Sequence, residues 1–335
     1  MATKVTHYNY TTKPKDYNFV NEPLNQSINL RQDAKPYVHT LGQVGHPSKG
    51  FKVANLSKRA RSKYFTQKIV GPMLYLGSPL HKYYQRAWYC NTQLIQHGKK
   101  LTSRYCDTRI CHVCNRIRTA NMMNGYIGQL GSLDCLEFVT LTLPNVTSDE
   151  LKGCVEHMQK TIVNVVKSFR RRGQKLSGVR KLEVTYNSEE DTYHPHFHMV
   201  TNGYGQDIVN EWLKRVPTAS MKGQHYRPAD QNSLNELFKY TTKIIAKQQR
   251  DLKVYISALD SIFIALKGKR CFQPFGIIKK VNEEVTENLE GQEYEDIKEY
   301  PFMIWEWEGE DWLNPFTKDT LTGYKEPDIN FVYVT

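Results

Sequence analysis

The chain of 335 residues contains no run of 18 or more apolar residues, so a helical membrane span is not expected. Its opening stretch, MATKVTHYNY, lacks the apolar core a secretory signal needs. Cysteines number 7, and an odd count in a long chain without an export signal does not suit a disulfide framework. No G-x4-G-K-[ST] sequence is present, so no nucleotide-driven helicase motor is expected within the chain, and no internal repeat is visible. Acidic residues are scarce over most of its length: the first 280 residues hold 19, against 43 lysines and arginines. These absences predict a cytoplasmic protein with no membrane partner.

What is present is positive charge. The formal net charge of +12 points to a polyanionic partner, most often nucleic acid. The charge is segregated, because residues 281–335 carry 15 acidic and 3 basic residues. Trp305, Trp307 and Trp312 within that tail argue against full disorder, since disordered segments are poor in aromatics. It reads as a small folded or partner-docking element. At the other end, residues 1–85 hold 13 basic and 3 acidic residues interleaved with tyrosines. The prolines there, Pro72 and Pro79 included, are expected to break any long helix. This stretch reads either as a mobile solvated arm or as a segment that stacks rings on single-stranded bases. Four regions are expected: a basic arm (1–85), a Cys-rich module (86–132), a catalytic domain (133–280) and an acidic region (281–335).

Periodicity from residue 136 onward predicts an α+β layer. EFVTLTL reads as a strand, and Thr147-Ser-Asp-Glu150 is a capping box opening a helix that closes at Arg170-Arg-Arg172-Gly173. Residues 179–186 and 193–200 read as a hairpin, and residues 206–216 and 233–247 as helices. The order suggests a central antiparallel sheet with helices packed on one face.

Three constellations carry chemistry. Cys90, Cys106, Cys111 and Cys114 are spaced C-x15-C-x4-C-x2-C, a zinc-ribbon-like pattern in which four thiolates would satisfy a structural Zn²⁺. Free thiols are the alternative, and His97 or His112 could replace one ligand. Cys135, Cys154 and Cys271 read as small core residues.

In HPHFHMV, alternation puts His194, His196 and His198 on one side of a strand. If the hairpin turns near Glu189 and Glu190, Glu183 lies opposite His196, with Cα atoms about 5 Å apart. Two imidazoles and a carboxylate suit Mg²⁺ or Mn²⁺ with positions open to phosphate oxygens, and zinc is possible. His194 is a rival third ligand, with Glu183 preferred. In SLNELFKYTTKIIAK, finally, Leu234, Leu237, Phe238, Ile244 and Ile245 form one helical face, and Glu236, Tyr240, Lys243 and Lys247 the other. Tyr240 there is either incidental or an activated phenolate, with Lys243 favouring its charged form.

In order, FVTLTLPN, HPHFHMV and NELFKYTTK resemble the three motifs of rolling-circle plasmid replication initiators, the single-tyrosine family of the HUH (His-hydrophobic-His) endonucleases. The resemblance covers about residues 88–280 and implies an HUH fold preceded by the Cys cluster. It implies metal ligation by His196 and His198, a Tyr240 nucleophile in a Tyr-x-x-Lys pattern with Lys243, and Glu236 as the residue that assists termination. Thr140, Thr142 and Asn145 of the first motif are expected near the DNA. The implied enzyme nicks and rejoins single-stranded or supercoiled origin DNA through a 5′-phosphotyrosyl link and a 3′-hydroxyl primer. A host helicase and replication machinery would be partners. A rolling-circle transposase is the near alternative, but no second Tyr lies one helical turn from Tyr240. A relaxase is disfavoured because Tyr240 follows the histidines, and a non-catalytic zinc-dependent repressor because the His/Glu/Tyr set is intact.

Overall fold

A computed structural model describes residues 53–238, 246–248, 251–283, 285, 292–293 and 297–335. Two helices come first, α1 (Val53–Met73) and α2 (His81–Tyr89), then strands β1 (Gln93–Gly98) and β2 (Lys100–Ser103) and helix α3 (His112–Gly131). Strand β3 (Leu136–Thr142), helix α4 (Ser148–Arg171), strands β4 (Gly178–Asn187) and β5 (Thr192–Asn202), and helix α5 (Gly205–Arg215) follow. Next are β6 (His225–Pro228), α6 (Gln231–Phe238), β7 (Ala246–Gln248), β8 (Asp251–Tyr255), α7 (Ile256–Leu266) and β9 (Phe272–Phe275). The tail adds β10 (Gln292–Glu293), β11 (Tyr300–Trp307), β12 (Trp312–Leu313) and β13 (Asn330–Val334). No described helix is long and apolar enough to cross a membrane.

The central sheet has the order β6-β3-β5-β4-β9 and is antiparallel throughout. The capping box forms as the sequence predicts: Glu150 accepts from the backbone N–H of Thr147 at 3.0 Å. Gly173, at φ +74°, ends the chain's run out of α4 in the left-handed conformation that glycine adopts without penalty. Alternation decides the two sheet faces. Leu182, Val184, Phe197 and Met199 are buried on one face, where the Phe197 ring meets Trp212 of α5 edge-on. On the other, α6 packs through Phe238, stacked between Tyr126 of α3 and Phe272 of β9. Helices therefore cover both faces, not one as expected. The hairpin residues are buried on both sides, and a two-faced core needs two covers.

Three further expectations are corrected. Residues 53–73, expected in an irregular arm, form α1, which includes Pro72 in its last turn. This helix is surrounded: Leu56, Ala60, Tyr64, Ile69 and Val70 are buried, as are Lys63 and Thr66. The helix expected over 233–247 does not reach its end, because Ala246–Gln248 pairs antiparallel with β8, placing Lys247 opposite Leu252. Cys271 is core and Cys154 half-buried, but Cys135 is exposed in a left-handed turn conformation. Residues 1–52 of the expected arm lie outside the described residues.

The acidic tail is not an appendage. β11 pairs with β1 and β12 with β11, completing a second sheet of order β10-β2-β1-β11-β12, while β13 lies parallel to β8 in a third sheet. Its tryptophans anchor it: Trp305 Nε1 donates to Gln96 Oε1, Trp307 Nε1 to Gln67 Oε1 and Trp312 Nε1 to the Asn91 carbonyl. The tail thus shares a core with α1, α2 and the Cys-rich stretch.

Candidate active site

The four cysteines converge. Cys90 follows α2, Cys111 precedes α3, Cys114 lies in the first turn of α3, and Cys106 lies on the intervening loop; all four are buried. Cys90 Sγ and Cys106 Sγ each lie 3.6 Å from Cys114 Sγ, and all four sulfurs fall within 4.8 Å of one another. A tetrahedral ion with Zn–S bonds of about 2.3 Å spaces its sulfurs about 3.8 Å apart, so the cage fits such an ion. Burial pushes the Cys111 thiol up, so holding a thiolate there calls for a cation. One fixed cation is already close: Lys63 is fully buried, donates to the Trp88 carbonyl, and is drawn toward the charged form by the cysteines, although burial lowers it to about 8. The two histidines considered as substitutes are not needed, and His97 instead packs against Phe302 on the exposed face of β1.

The second centre lies on the α6-covered face of the central sheet. Register pairs Glu183 of β4 with His196 of β5, as the hairpin reading predicts, and His198 with Thr140 of β3. His196 Nε2 and His198 Nε2 each stand 3.8 Å from Glu183 Oε2. Each imidazole is oriented from behind. The His194 carbonyl, 3.1 Å from His196 Nδ1, can only accept, which puts the proton on Nδ1 and leaves the Nε2 lone pair facing Glu183. Thr140 Oγ1, 3.1 Å from His198 Nδ1, orients that ring so that Nε2 turns toward Glu183, and Phe138 stacks on the His198 ring.

The protonation states suit ligation. Burial alone would raise the Glu183 carboxyl; the Lys181 ammonium and His196 outweigh it and hold the group far below the usual carboxylate range. His198 is pushed down to about 4, first by burial and then by neighbouring His196, so it is a neutral donor at ordinary pH. Although the ammonium is 2.7 Å away, Glu183 Oε2 takes no well-directed hydrogen bond from it. That oxygen is buried between two imidazole nitrogens 3.8 Å away, an arrangement a divalent cation would fit.

Of the other predicted residues, His194 does not join the centre by its ring, which stacks on His196; its contribution is its carbonyl. Thr142 is buried, its N–H donating to Gln224 Oε1 and its hydroxyl to the Gly223 carbonyl. Asn145 is exposed and ties the hairpin end through Glu190 and Thr192. Glu236 lies half-buried on α6, whose backbone reaches the centre. Tyr240 and Lys243 lie outside the described residues. The alternation of β4 puts Lys181 on the strand face of Glu183 but gives it no role; in the folded chain it is buried against that carboxylate.

A sheet presenting two imidazoles and a carboxylate beneath a helix defines a metal-centre class on an antiparallel α+β scaffold. A family model described as "Replication protein" matches residues 98–216, which span β3 through α5 and hence the whole His/Glu centre. Among curated proteins, "Protein rep" of Staphylococcus aureus is 31% identical over 183 residues, 46% of this chain and 79% of that protein. "Protein rep" of Streptococcus pneumoniae is 27% identical over 151 residues, 40% of this chain and 47% of its own length. "Protein rep" of Bacillus amyloliquefaciens is 26% identical over 228 residues, 56% of this chain and 66% of that protein. No solved structure matches. The chain belongs to this replication-protein family, the rolling-circle plasmid initiators that its motifs resemble.

Proposed function

We propose that the protein initiates plasmid replication as an HUH endonuclease, nicking one strand of the origin by transesterification. The observation that carries this reading is the convergence of His196 Nε2 and His198 Nε2 on Glu183 Oε2 beneath the helix bearing Glu236. Mg²⁺ or Mn²⁺ held there by Glu183, His196 and His198 would stabilise charge on the scissile phosphate. Tyr240 attacks phosphorus; the bond to the 3′-oxygen breaks, and that oxygen leaves as a 3′-hydroxyl after taking up a proton. The 5′-phosphate stays on Tyr240, whose own proton is lost to solvent or a nearby base. Lys243, three residues on in the sequence, lowers the cost of the phenolate. Glu236 acts as general base for water at termination, so the protein is released after one round. Zn²⁺ in the Cys90/Cys106/Cys111/Cys114 cage is structural. The nicking unit is assigned to residues 133–280, acts in the cytoplasm, and depends on a host helicase for unwinding.

The test is an SDS-resistant adduct on single-stranded and supercoiled origin DNA with Mn²⁺. It should form with the native chain and vanish with Tyr240→Phe; an adduct that persists in the variant refutes the nucleophile assignment. Glu236→Ala should nick and form the adduct yet lose correct termination, and unchanged termination would remove the general-base role.

A further inference from the structure

Lys181 is a long cationic side chain with no exposure at all, on the same face of β4 as Glu183 and opposite His198 of β5. Its Nζ lies 2.7 Å from Glu183 Oε2 and donates to the main-chain carbonyl of Glu236 at 3.3 Å. One buried ammonium therefore touches the carboxylate of the metal centre and the backbone of the helix that carries the general base. That helix is also the element from which the chain runs on to Tyr240, four residues after Glu236.

We propose that Lys181 is a positioning residue that locks α6 onto the metal centre and serves as the resident counter-cation of Glu183. The first role rests on the nicking reading above; the second does not. A buried ammonium without water cannot be left by either partner at low cost, so α6 and Glu183 are held at one separation. Such a lock matters for in-line attack, where a misplacement of about 1 Å can cost a factor of about 100 in rate. The same ammonium repels a divalent cation entering beside it. Native metal binding is therefore weaker than the ligand set alone would give, in exchange for alignment.

The two roles predict opposite movements in one variant. In Lys181→Met the divalent ion becomes the main positive partner of Glu183. The full-length variant should then show a larger Mn²⁺-induced rise in Tm, with a several-fold lower Mn²⁺ midpoint. At saturating Mn²⁺ its adduct rate on a single-stranded origin oligonucleotide should fall about 100-fold. Lys181→Arg, which keeps the charge, should hold the Mn²⁺ midpoint near native and recover part of the rate. A residue that merely supports the fold would weaken metal binding and adduct formation together, and that joint loss would overturn the proposal. A native adduct rate in Lys181→Met would overturn it equally. If Lys181→Met does not fold, Lys181→Arg decides: a fully native adduct rate refutes the lock, and a markedly shifted Mn²⁺ midpoint refutes the counter-cation role. Absence of an adduct from the native chain would sink the nicking reading instead, and with it the lock, while the Mn²⁺ midpoints still test the counter-cation role.

Discussion

Thr140 shows how far a single hydroxyl reaches. It belongs to the first sequence motif, where alternation establishes only that it shares a face with Thr142 and Phe138. In the folded chain it sits across from His198 and fixes which ring nitrogen faces Glu183. Thr140→Val keeps the shape and removes the hydrogen bond, so the Mn²⁺ concentration for half-maximal binding should rise about 10- to 100-fold while Tm without metal changes little. Isothermal titration of both proteins checks this, and an unchanged midpoint would show that Phe138 stacking alone orients the ring. The Glu183–His196 pairing was legible in the sequence because a hairpin has a two-residue period and a turn position that fixes register. The role of Lys181 was not legible, because a lysine on a strand face is usually solvated. In the folded chain it is fully buried, and the Glu236 carbonyl of α6, 55 residues downstream, makes the ammonium a bridge.

Among elements, α1 and β11 escaped the sequence reading for different physical reasons. A helix is recognised by one apolar stripe, and α1 has none, because it is enclosed and buries Lys63 and Thr66 along with its apolar residues. The acidic segment holding β11 read only as a small folded or partner-docking element, because the strand's partner β1 lies about 200 residues earlier and Trp305 is buried only once they pair. Trp312→Ala should destabilise the protein by about 3–5 kcal/mol, the range for emptying a buried aromatic site, measured by urea unfolding. Truncation at Glu299 would strip β11, β12 and β13 and leave the β1 edge unpaired. That protein should aggregate, as judged by size-exclusion chromatography. By contrast, Glu306→Gln with Glu308→Gln alters exposed charge and one exposed ion pair, Glu308–Lys318, and should leave Tm within a few degrees. Equal behaviour of the truncated and neutralised chains would contradict an integral tail.

At the scale of the whole molecule, the Cys cage lies where the Cys-rich stretch meets the C-terminal tail. Trp312 donates to the carbonyl of Asn91, next to Cys90, while Arg118 pairs with Asp107, next to Cys106, and donates to the Glu283 carbonyl. Loss of the cage metal should therefore loosen the tail as well as the module. Cys114→Ser should lower Tm by about 10 °C or more and release one equivalent of zinc, with excess Mn²⁺ unable to restore either. A native Tm in that variant would mean the cage holds no structural metal. The sequence by itself determined what depends on short-range period and spacing. The His/Glu hairpin, the capped α4 and the cysteine quartet each follow from contacts between residues near in the chain or from ligand chemistry. Tertiary structure alone decided what depends on distant partners. It covered both faces of the sheet, enclosed α1, drew the acidic tail into the core, and dried out Lys181, because burial is a property of what the rest of the chain brings and not of the residue.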